Sequence, residues 1–265
     1  MRCYTPFSSF DNDFKNMNLA IDIGNTHVKT ALFKEGTMTK AVVHKSFTLD
    51  TLKGIAEKNA GIKNAIICAV KDYPAEWKNY LKTQFNFIEL SANTPVPIKN
   101  NYGTPATLGK DRLATAVAAK YILPEKNVLA VNAGTCITYD FVDNKGVYQG
   151  GAISPGLDMR FKALHTFTGR LPLIEADTKF TALVGKTTQQ SILAGAQQGM
   201  LKEIEGIIEA YKAKYKNLHV IMSGGSLPWL EKSLTPKINP QPFLVLKGLN
   251  VILASSFQNQ NIKKR

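Results

Sequence analysis

Short apolar runs, separated by polar stretches and glycine turns, characterise the first half of the chain. NLAIDIG at 18–24 and THVKTALF at 26–33 adjoin a Gly24-Asn25 turn, and they predict two strands joined by that turn. The alanine-rich stretch 110–123 predicts a helix with Asp111 and Arg112 in its first turn. Further strands are predicted at 64–70, 85–90 and 219–223, and further helices at 51–61, 74–85 and 187–213, the last with a glycine-softened middle.

The strand–turn–strand pattern occurs twice. LAIDIGNT at 19–26 is matched by LAVNAGTC at 129–136, and in both an apolar strand carries one polar residue two places before a glycine. Each copy continues into a second predicted strand. Two copies of one unit predict two similar domains. We therefore expect a polar leader at 1–16, a first domain at 17–127 and a second at 128–265.

Composition supports a folded protein with a sizeable core. The chain has 265 residues, of which 44% are hydrophobic and 20% charged. No apolar run approaches the roughly 18 residues that a membrane-spanning helix needs. The first residues lack a signal-peptide pattern, and the three cysteines have neither metal-ligand nor disulfide spacing. We expect a cytoplasmic protein without a membrane partner.

The net charge of +13 leaves two interpretations open. Basic proteins often bind nucleic acid, but a lysine-rich surface also suits a site for an acidic, phosphorylated ligand. The lysines are spread along the chain, and only KKR at the end forms a run. Because diffuse charge is weaker support than a patch, we expect no nucleic-acid partner.

The first glycine turn has the composition of a phosphate site. Gly24 lets a phosphate approach the backbone amides, Asn25 and Thr26 add side-chain donors, and Lys29 adds positive charge. A carboxylate such as Asp22 suits that position if Mg²⁺ lies between it and the phosphates. The alternative is a plain hairpin with a solvent-facing aspartate. The spacing matches neither a P-loop nor a dinucleotide fingerprint.

A third glycine turn, SGGSLP at 223–228, follows another predicted strand. Its bare backbone would let an adenine or a ribose lie flat against it. An ordinary strand-to-helix turn is the alternative interpretation.

Together the three turns resemble the actin/hexokinase/heat-shock-chaperone superfamily, in which two ribonuclease-H-like halves clamp ATP. Within that superfamily the chain resembles the type III pantothenate kinases, from Asn18 to about Ser255. The motifs that carry this resemblance are DIGNTHVK at 22–29, GKDR at 109–112, NAGTCITYD at 132–140, GGAISPGLDMRFKALHTFTGRLP at 150–172, GKTTQQSILAG at 185–195, SGG at 223–225 and LVLKGL at 244–249.

The resemblance implies an α/β fold of two ribonuclease-H-like domains of actin-like ATPase type, with mixed sheets flanked by helices. It also implies ATP-dependent phosphorylation of pantothenate to 4'-phosphopantothenate, the first step of coenzyme A biosynthesis, by a homodimer using ATP and Mg²⁺. The residues it implies for ATP binding are Asp22, Gly24, Asn25, Thr26, Lys29, Gly134, Thr135, Gly224 and Gly225.

The resemblance further implies a general base at Asp111. The residues it implies for pantothenate binding are Tyr102, Gly109, Lys110, Asp111, Arg112 and Thr188. Thr188 is expected to reach the neighbouring subunit's pocket, with a one-residue ambiguity toward Thr187. The chemistry agrees, because Asp111 can accept a hydroxyl proton and Arg112 can hold a carboxylate or a phosphoryl oxygen. From the residues alone, a helix-dipole carboxylate and a surface arginine are the alternatives.

Asn132 departs from the family pattern. The family has an aspartate there, associated with a monovalent cation such as K⁺ or NH₄⁺. Asparagine keeps an oxygen but loses the negative charge, which should weaken a cation site. We expect a kinase that has lost its cation requirement. The alternative is a non-catalytic regulatory or accessory relative on the same fold.

Overall fold

The computed structural model describes residues 17–262, so the predicted leader at 1–16 lies outside the described residues. The chain divides into two compact units. Among the described residues, the first contains 17–125, the segment Asn144–Gln149 and 243–262, and the second contains Lys126–Asp143 and Gly150–Pro242.

A five-stranded sheet forms the centre of the first unit, in the order β3-β2-β1-β4-β5. Strand β1 is antiparallel to β2 and parallel to β4, and β4 is parallel to β5. Apolar side chains of β1, β2 and β4 form its core together with Leu52, Trp77 and Leu81 from the helices. The elements are β1 (Met17–Ile23), β2 (Val28–Lys34), β3 (Thr37–His44), α1 (Leu49–Glu57), β4 (Ile62–Ala69), α2 (Ala75–Gln84), β5 (Asn86–Glu89), β6 (Lys99–Asn100), a 3₁₀ turn (Pro105–Thr107), α3 (Lys110–Ile122) and α8 (Leu244–Ile262).

The last helix, α8, belongs to the first unit, which differs from the single second domain predicted at 128–265. It packs on α3, and Gly248 lies so close to Ala114 that a Cβ at Gly248 would overlap the Ala114 backbone. Asn18 on β1 also donates to the Asn250 side chain at 2.8 Å. These long-range contacts carry no local sequence signal.

A row of side-chain amides, exposed at Asn86 and buried at Asn64, Asn18 and Asn250, holds this arrangement in register. Asn86 donates to Asn64 at 3.0 Å, and Asn64 donates to Asn18 at 2.9 Å. With the bond from Asn18 to Asn250, the row ties β5, β4, β1 and α8 together. Each bond satisfies polar groups that would otherwise be costly to bury.

The second unit contains strands β11, β10, β7 and β8, in that order, and β9 from Gly150 onward. Val147 and Tyr148 at the start of β9 belong to the first unit, where they pair with β6. Strand β7 is antiparallel to β8 and parallel to β10. The elements are β7 (Asn127–Ala133), β8 (Cys136–Val142), β9 (Val147–Pro155), α4 (Leu157–Thr166), α5 (Thr188–Ile192), α6 (Gly199–Lys214), β10 (Leu218–Ser223), α7 (Leu227–Ser233) and β11 (Asn239–Pro240).

Two predictions about local structure are confirmed. Each unit carries the repeated strand–turn–strand pattern, as β1 with β2 and as β7 with β8. The predicted long helix forms α5 and α6, and its glycine-containing middle is the π-helical segment Leu193–Gln198. Among the described residues, no helix combines the length and the apolar character that crossing a membrane would require.

Candidate functional site

The first glycine turn closes through its backbone. The Gly24 amide donates to the His27 carbonyl at 3.1 Å, which leaves Asn25 and Thr26 exposed at the tip. The Lys71 ammonium, which follows β4, donates to the Asn25 carbonyl at 2.9 Å. The turn therefore presents polar groups outward on a backbone that is held from two sides.

Asp22 is buried, with 5% of its surface exposed, so the interpretation as a solvent-facing hairpin aspartate is wrong. Its cross-strand neighbour is Lys29, whose Nζ lies 3.9 Å from Oδ2. Burial raises the pKa of Asp22 to about 6, against the lowering effect of Lys29 and with a further increase from the charge of Asp111. Within the described part of the chain, no donor lies at hydrogen-bonding distance from this carboxylate.

Asp111 and Arg112 lie in the first turn of α3, as the sequence predicts. Arg112 is 5% exposed, so it is not a surface arginine. Its guanidinium carbon lies 5.8 Å from the centre of the Tyr102 ring, and Tyr102 stacks on the buried Tyr148 at 6.2 Å between ring centres. A Cβ at Gly109 would lie 2.7 Å from Asp111 Oδ1, so a side chain there would displace the Asp111 carboxylate. The first unit thus brings Tyr102 to the GKDR motif.

A cavity of about 570 Å³ lies at the carboxyl ends of β4 and β5. Gly109 and Lys110 of the GKDR motif line it, together with Lys71 and with the pair Lys78 and Glu89. Lys78 Nζ lies 2.6 Å from Glu89 Oε2. Burial acts to raise the pKa of Glu89, but hydrogen bonds from Lys78 and Tyr73 outweigh it and hold that pKa below its ordinary value. The carboxyl edge of a parallel sheet is where α/β folds bind ligands.

The second glycine turn lies between β7 and β8. Gly134 and Thr135 are exposed, and the Gly134 amide donates to the Cys136 carbonyl at 2.9 Å. Asn132 is partly exposed near the end of β7, opposite Thr138 on β8. The turn has the same exposed tip as the first one, with an amide where the first turn has a carboxylate.

The third glycine turn packs directly on the second. Gly224 adopts φ +104°, and a Cβ there would overlap the backbone of Ala133. The Ser226 amide donates to the Ala133 carbonyl at 3.1 Å, and Gly225 is exposed with open space around it. The second unit therefore brings Gly134, Thr135, Gly224 and Gly225 to one edge of its sheet.

The two threonines at the start of α5 differ in role. The Thr187 hydroxyl caps the helix by accepting from the Gln190 amide at 3.2 Å. Thr188 is the first residue of the helix, and it is exposed. Capping thus uses Thr187 and leaves Thr188 at the surface.

Two contributors to these turns were missed by residue-level reasoning. One is Lys71, which no sequence pattern connects with the first turn. The other is the SPG junction, residues Ser154–Gly156, which ends β9 and leads into α4. Its Gly156 amide donates to the Thr135 carbonyl at 3.1 Å. The run GGAISPGL marks this segment in the sequence, but only the fold shows what it contacts.

Metal ligands are few in the described part of the chain, where no group of three or more histidine, cysteine, aspartate or glutamate side chains lies together. Mg²⁺ in phosphoryl-transfer sites is usually held by one or two carboxylates, with phosphate oxygens and water supplying the rest. The buried Asp22 carboxylate, which lacks a close donor, fits that type of site.

Comparison with known proteins identifies one family. A family model described as type III pantothenate kinase matches residues 18–210. A type III pantothenate kinase of Bacteroides fragilis is 45% identical over 238 residues, covering 89% of this chain and 97% of that protein. A type III pantothenate kinase of Christiangramia forsetii is 41% identical over 238 residues, covering 89% and 98%.

Solved structures resemble the fold at low identity. A conserved protein from Campylobacter jejuni, described as a Baf family transcriptional activator, aligns with a TM-score of 0.59 at 21% identity, covering 92% of this chain and 99% of that one. The activator of 2-hydroxyisocaproyl-CoA dehydratase from Clostridium difficile, solved with ADPNP, aligns with a TM-score of 0.52 at 13% identity, covering 94% and 97%. These similarities confirm the predicted actin-like ATPase fold with two sheets flanked by helices.

Proposed function

This chain belongs to the type III pantothenate kinase family, and we propose that it transfers the γ-phosphoryl group of ATP to pantothenate. The product is 4'-phosphopantothenate, and the reaction is the first step of coenzyme A biosynthesis. One observation carries the proposal for this particular chain. Its first unit brings the buried Asp22 of the phosphate turn within electrostatic reach of Asp111, at the start of the GKDR helix.

Each unit presents turns that suit contacts with part of the nucleotide. In the first unit the exposed tip with Asn25 and Thr26, the Gly24 backbone and the Lys29 ammonium suit phosphate oxygens. In the second unit, Gly134 and Thr135 contact the phosphates, and Gly224 and Gly225 contact the adenosine. The support for these contacts is the exposed, side-chain-poor backbone that these residues present on one edge of the sheet.

Asp22 holds Mg²⁺, directly or through water. A buried carboxylate with a raised pKa and no close donor is costly to keep ionised, and a divalent cation offsets that cost. When bound, the ion neutralises charge that develops on the transferred phosphoryl group.

Asp111 is the general base. It accepts the proton of the primary hydroxyl of pantothenate while that oxygen attacks the γ-phosphorus and the bond to the ADP leaving group breaks. Lys110 and the Gly109 backbone line the cavity beside Asp111, and Arg112 and Tyr102 bind the carboxylate end of pantothenate. The guanidinium of Arg112 remains charged when buried, which suits a carboxylate partner.

The active form is a cytoplasmic homodimer, with no nucleic-acid or membrane partner. The support for a dimer is that the second unit exposes several large apolar side chains, which association would bury. They include Phe167 at 85%, Ile153 at 62% and Val184 at 77% exposure. Thr188 follows Val184 closely along the chain, which supports a role at the neighbouring subunit's pantothenate pocket.

Asn132 keeps a second interpretation open, because it supplies no negative charge for K⁺ or NH₄⁺. We propose a kinase that works without a monovalent cation, since Asp22, Asp111 and Arg112 are all present in the arrangement described. A non-catalytic accessory relative is the second candidate, and Asn132 is the observation that favours it.

A substrate panel tests the proposal. ATP-dependent phosphorylation is measured for pantothenate, glycerol and common sugars under the same conditions. Saturable turnover of pantothenate alone supports the proposal. Binding of Mg·ATP without phosphorylation of any compound in the panel would support the accessory relative instead.

A further inference from the structure

The SPG junction contacts the second glycine turn backbone to backbone. The Gly156 amide donates to the Thr135 carbonyl. In addition, Gly156 has no room for a side chain. A Cβ there would lie inside van der Waals contact of the Gly134 and Thr135 carbonyl oxygens. Because no side chain lies between the two backbones, a displacement of the junction would displace the turn as well.

Arg160, on the first turns of α4, holds the junction from the other side. Its Nε donates to the Pro155 carbonyl at 3.0 Å, and one terminal nitrogen donates to the Ser154 hydroxyl at 3.1 Å. The same terminal nitrogen forms an ion pair with Glu203 on α6. One planar group thus fixes two consecutive residues of the junction to a neighbouring helix.

Glu203 is fixed in turn by its surroundings. Tyr139, fully buried on β8, donates to Glu203 Oε1 at 3.1 Å. Burial acts to raise the pKa of Glu203, but hydrogen bonds from Arg160 and Ser154, the Arg160 charge and the Tyr139 hydroxyl outweigh it and hold that pKa below its ordinary value. The carboxylate therefore stays charged at neutral pH and keeps Arg160 oriented.

We propose that Arg160 and Glu203 are positioning residues for nucleotide binding, acting through the SPG junction on the backbone of Gly134 and Thr135. The inference rests on the proposed function, in which this turn contacts ATP phosphates. In this proposal both residues act through the junction and not by direct contact with the nucleotide.

A role in fold stability alone does not explain why an arginine and a glutamate occupy positions 160 and 203. Partly buried ion pairs contribute little net stability compared with apolar residues of similar volume, whereas they fix geometry well. The geometry fixed here is that of a turn whose amides must meet phosphate oxygens within a fraction of an ångström.

Three variants and two controls test the proposal in the full-length protein. Arg160→Met removes the charge and all three contacts, whereas Arg160→Lys and Glu203→Gln are milder changes that keep a polar group. Lys202→Met is the matched control, because it breaks the Lys202–Glu205 ion pair of 2.7 Å on the same helix. Ile204→Val controls for lost stability, since Ile204 is fully buried beside Glu203.

Calorimetry measures the Kd of a non-hydrolysable Mg·ATP analogue and, separately, of pantothenate, and thermal melting measures stability. We expect Arg160→Met to weaken nucleotide binding about tenfold or more, the size of a lost charge-assisted contact. Glu203→Gln and Arg160→Lys should weaken it by about threefold to tenfold, with pantothenate binding within about twofold of wild type. Both controls should bind nucleotide as wild type does.

Three outcomes overturn the proposal. One is unchanged nucleotide affinity in Arg160→Lys and Glu203→Gln. Another is equal loss of nucleotide and pantothenate binding in every variant. The third is the same nucleotide loss in Ile204→Val at a matched melting temperature, which would assign the effect to stability alone. A wild-type protein that binds no Mg·ATP would overturn the proposed function as well, which separates the two failures.

Discussion

Replacing Asp22 by asparagine should stabilise the nucleotide-free protein relative to wild type, and this difference in stability should grow as the pH rises. The same replacement should remove productive use of Mg·ATP. Burial raises the pKa of Asp22 from 3.8 to about 6, with Lys29 opposing and Asp111 adding to that increase. A raised acid pKa means that the folded state binds the proton more tightly than the unfolded state. Ionised Asp22 therefore costs stability once the pH passes through this window.

The free-energy cost of ionised Asp22 follows from its pKa in the unfolded state and its pKa in the folded state. A difference of about two units corresponds to ~3 kcal/mol at about 1.4 kcal/mol per unit. The cost is absent below about pH 4, roughly half present at pH 5 and complete by about pH 7. Asp22 is 5% exposed, so solvent screening does not reduce the figure greatly.

Urea unfolding of wild type and Asp22→Asn, at about pH 5 and about pH 7.5 without nucleotide or Mg²⁺, measures the effect. The asparagine amide has its own burial cost, so the informative quantity is the change of the stability difference with pH. We expect that difference to shift by about 1–1.5 kcal/mol in favour of the variant over this interval. Glu175→Gln controls for losing one exposed negative charge. A difference that stays constant, or that moves in favour of wild type, would refute the account of Asp22 as a strained carboxylate kept for a cation.

Three further predictions concern the base, the leader and Asn132. Asp111→Asn should keep the fold and nucleotide binding but lower turnover by about 10²–10⁴, as measured by steady-state kinetics. If chemistry is rate-limiting and the variant retains more than about half of wild-type turnover, Asp111 is excluded as the base. A chain starting at Met17 should melt within a few degrees of the full chain and remain active, and lost solubility or activity would show that residues 1–16 pack on the core. The natural protein should be active without K⁺ or NH₄⁺, and Asn132→Asp should increase any response to K⁺; strong saturable activation of the natural protein by K⁺ at about millimolar concentration would contradict this.

Local features of the fold were predictable from the sequence. Helix α3 begins at Lys110 with Asp111 and Arg112 in its first turn, because alanine-rich runs have high helix propensity and an aspartate in the first turn suits the helix dipole. The two strand–turn–strand units follow from short apolar runs and the glycine turns beside them. The interrupted helix around Gly195 and Gly199 follows from the weak helix propensity of glycine.

Burial and long-range contacts were not predictable in the same way. The residue types around Asp22 and Arg112 fit an exposed position as well as a buried one, and only packing by distant segments decides between them. Assignment of α8 to the first unit depends on the contact of Gly248 with Ala114. The role of Arg160 required the SPG junction and α6 to be placed together, although they are about 45 residues apart in the chain.

The central claim is phosphoryl transfer to pantothenate by this chain. Mass spectrometry of the products formed from Mg·ATP and pantothenate, in buffer without K⁺ or NH₄⁺, tests it most directly. The account predicts that wild type converts pantothenate to a product heavier by one phosphoryl group, on the primary hydroxyl, with one ADP released for each product. Asp111→Asn should form that product at least about a hundredfold more slowly. Release of ADP without phosphorylated pantothenate, or no reaction at all from a folded wild-type protein that binds Mg·ATP, would contradict the claim.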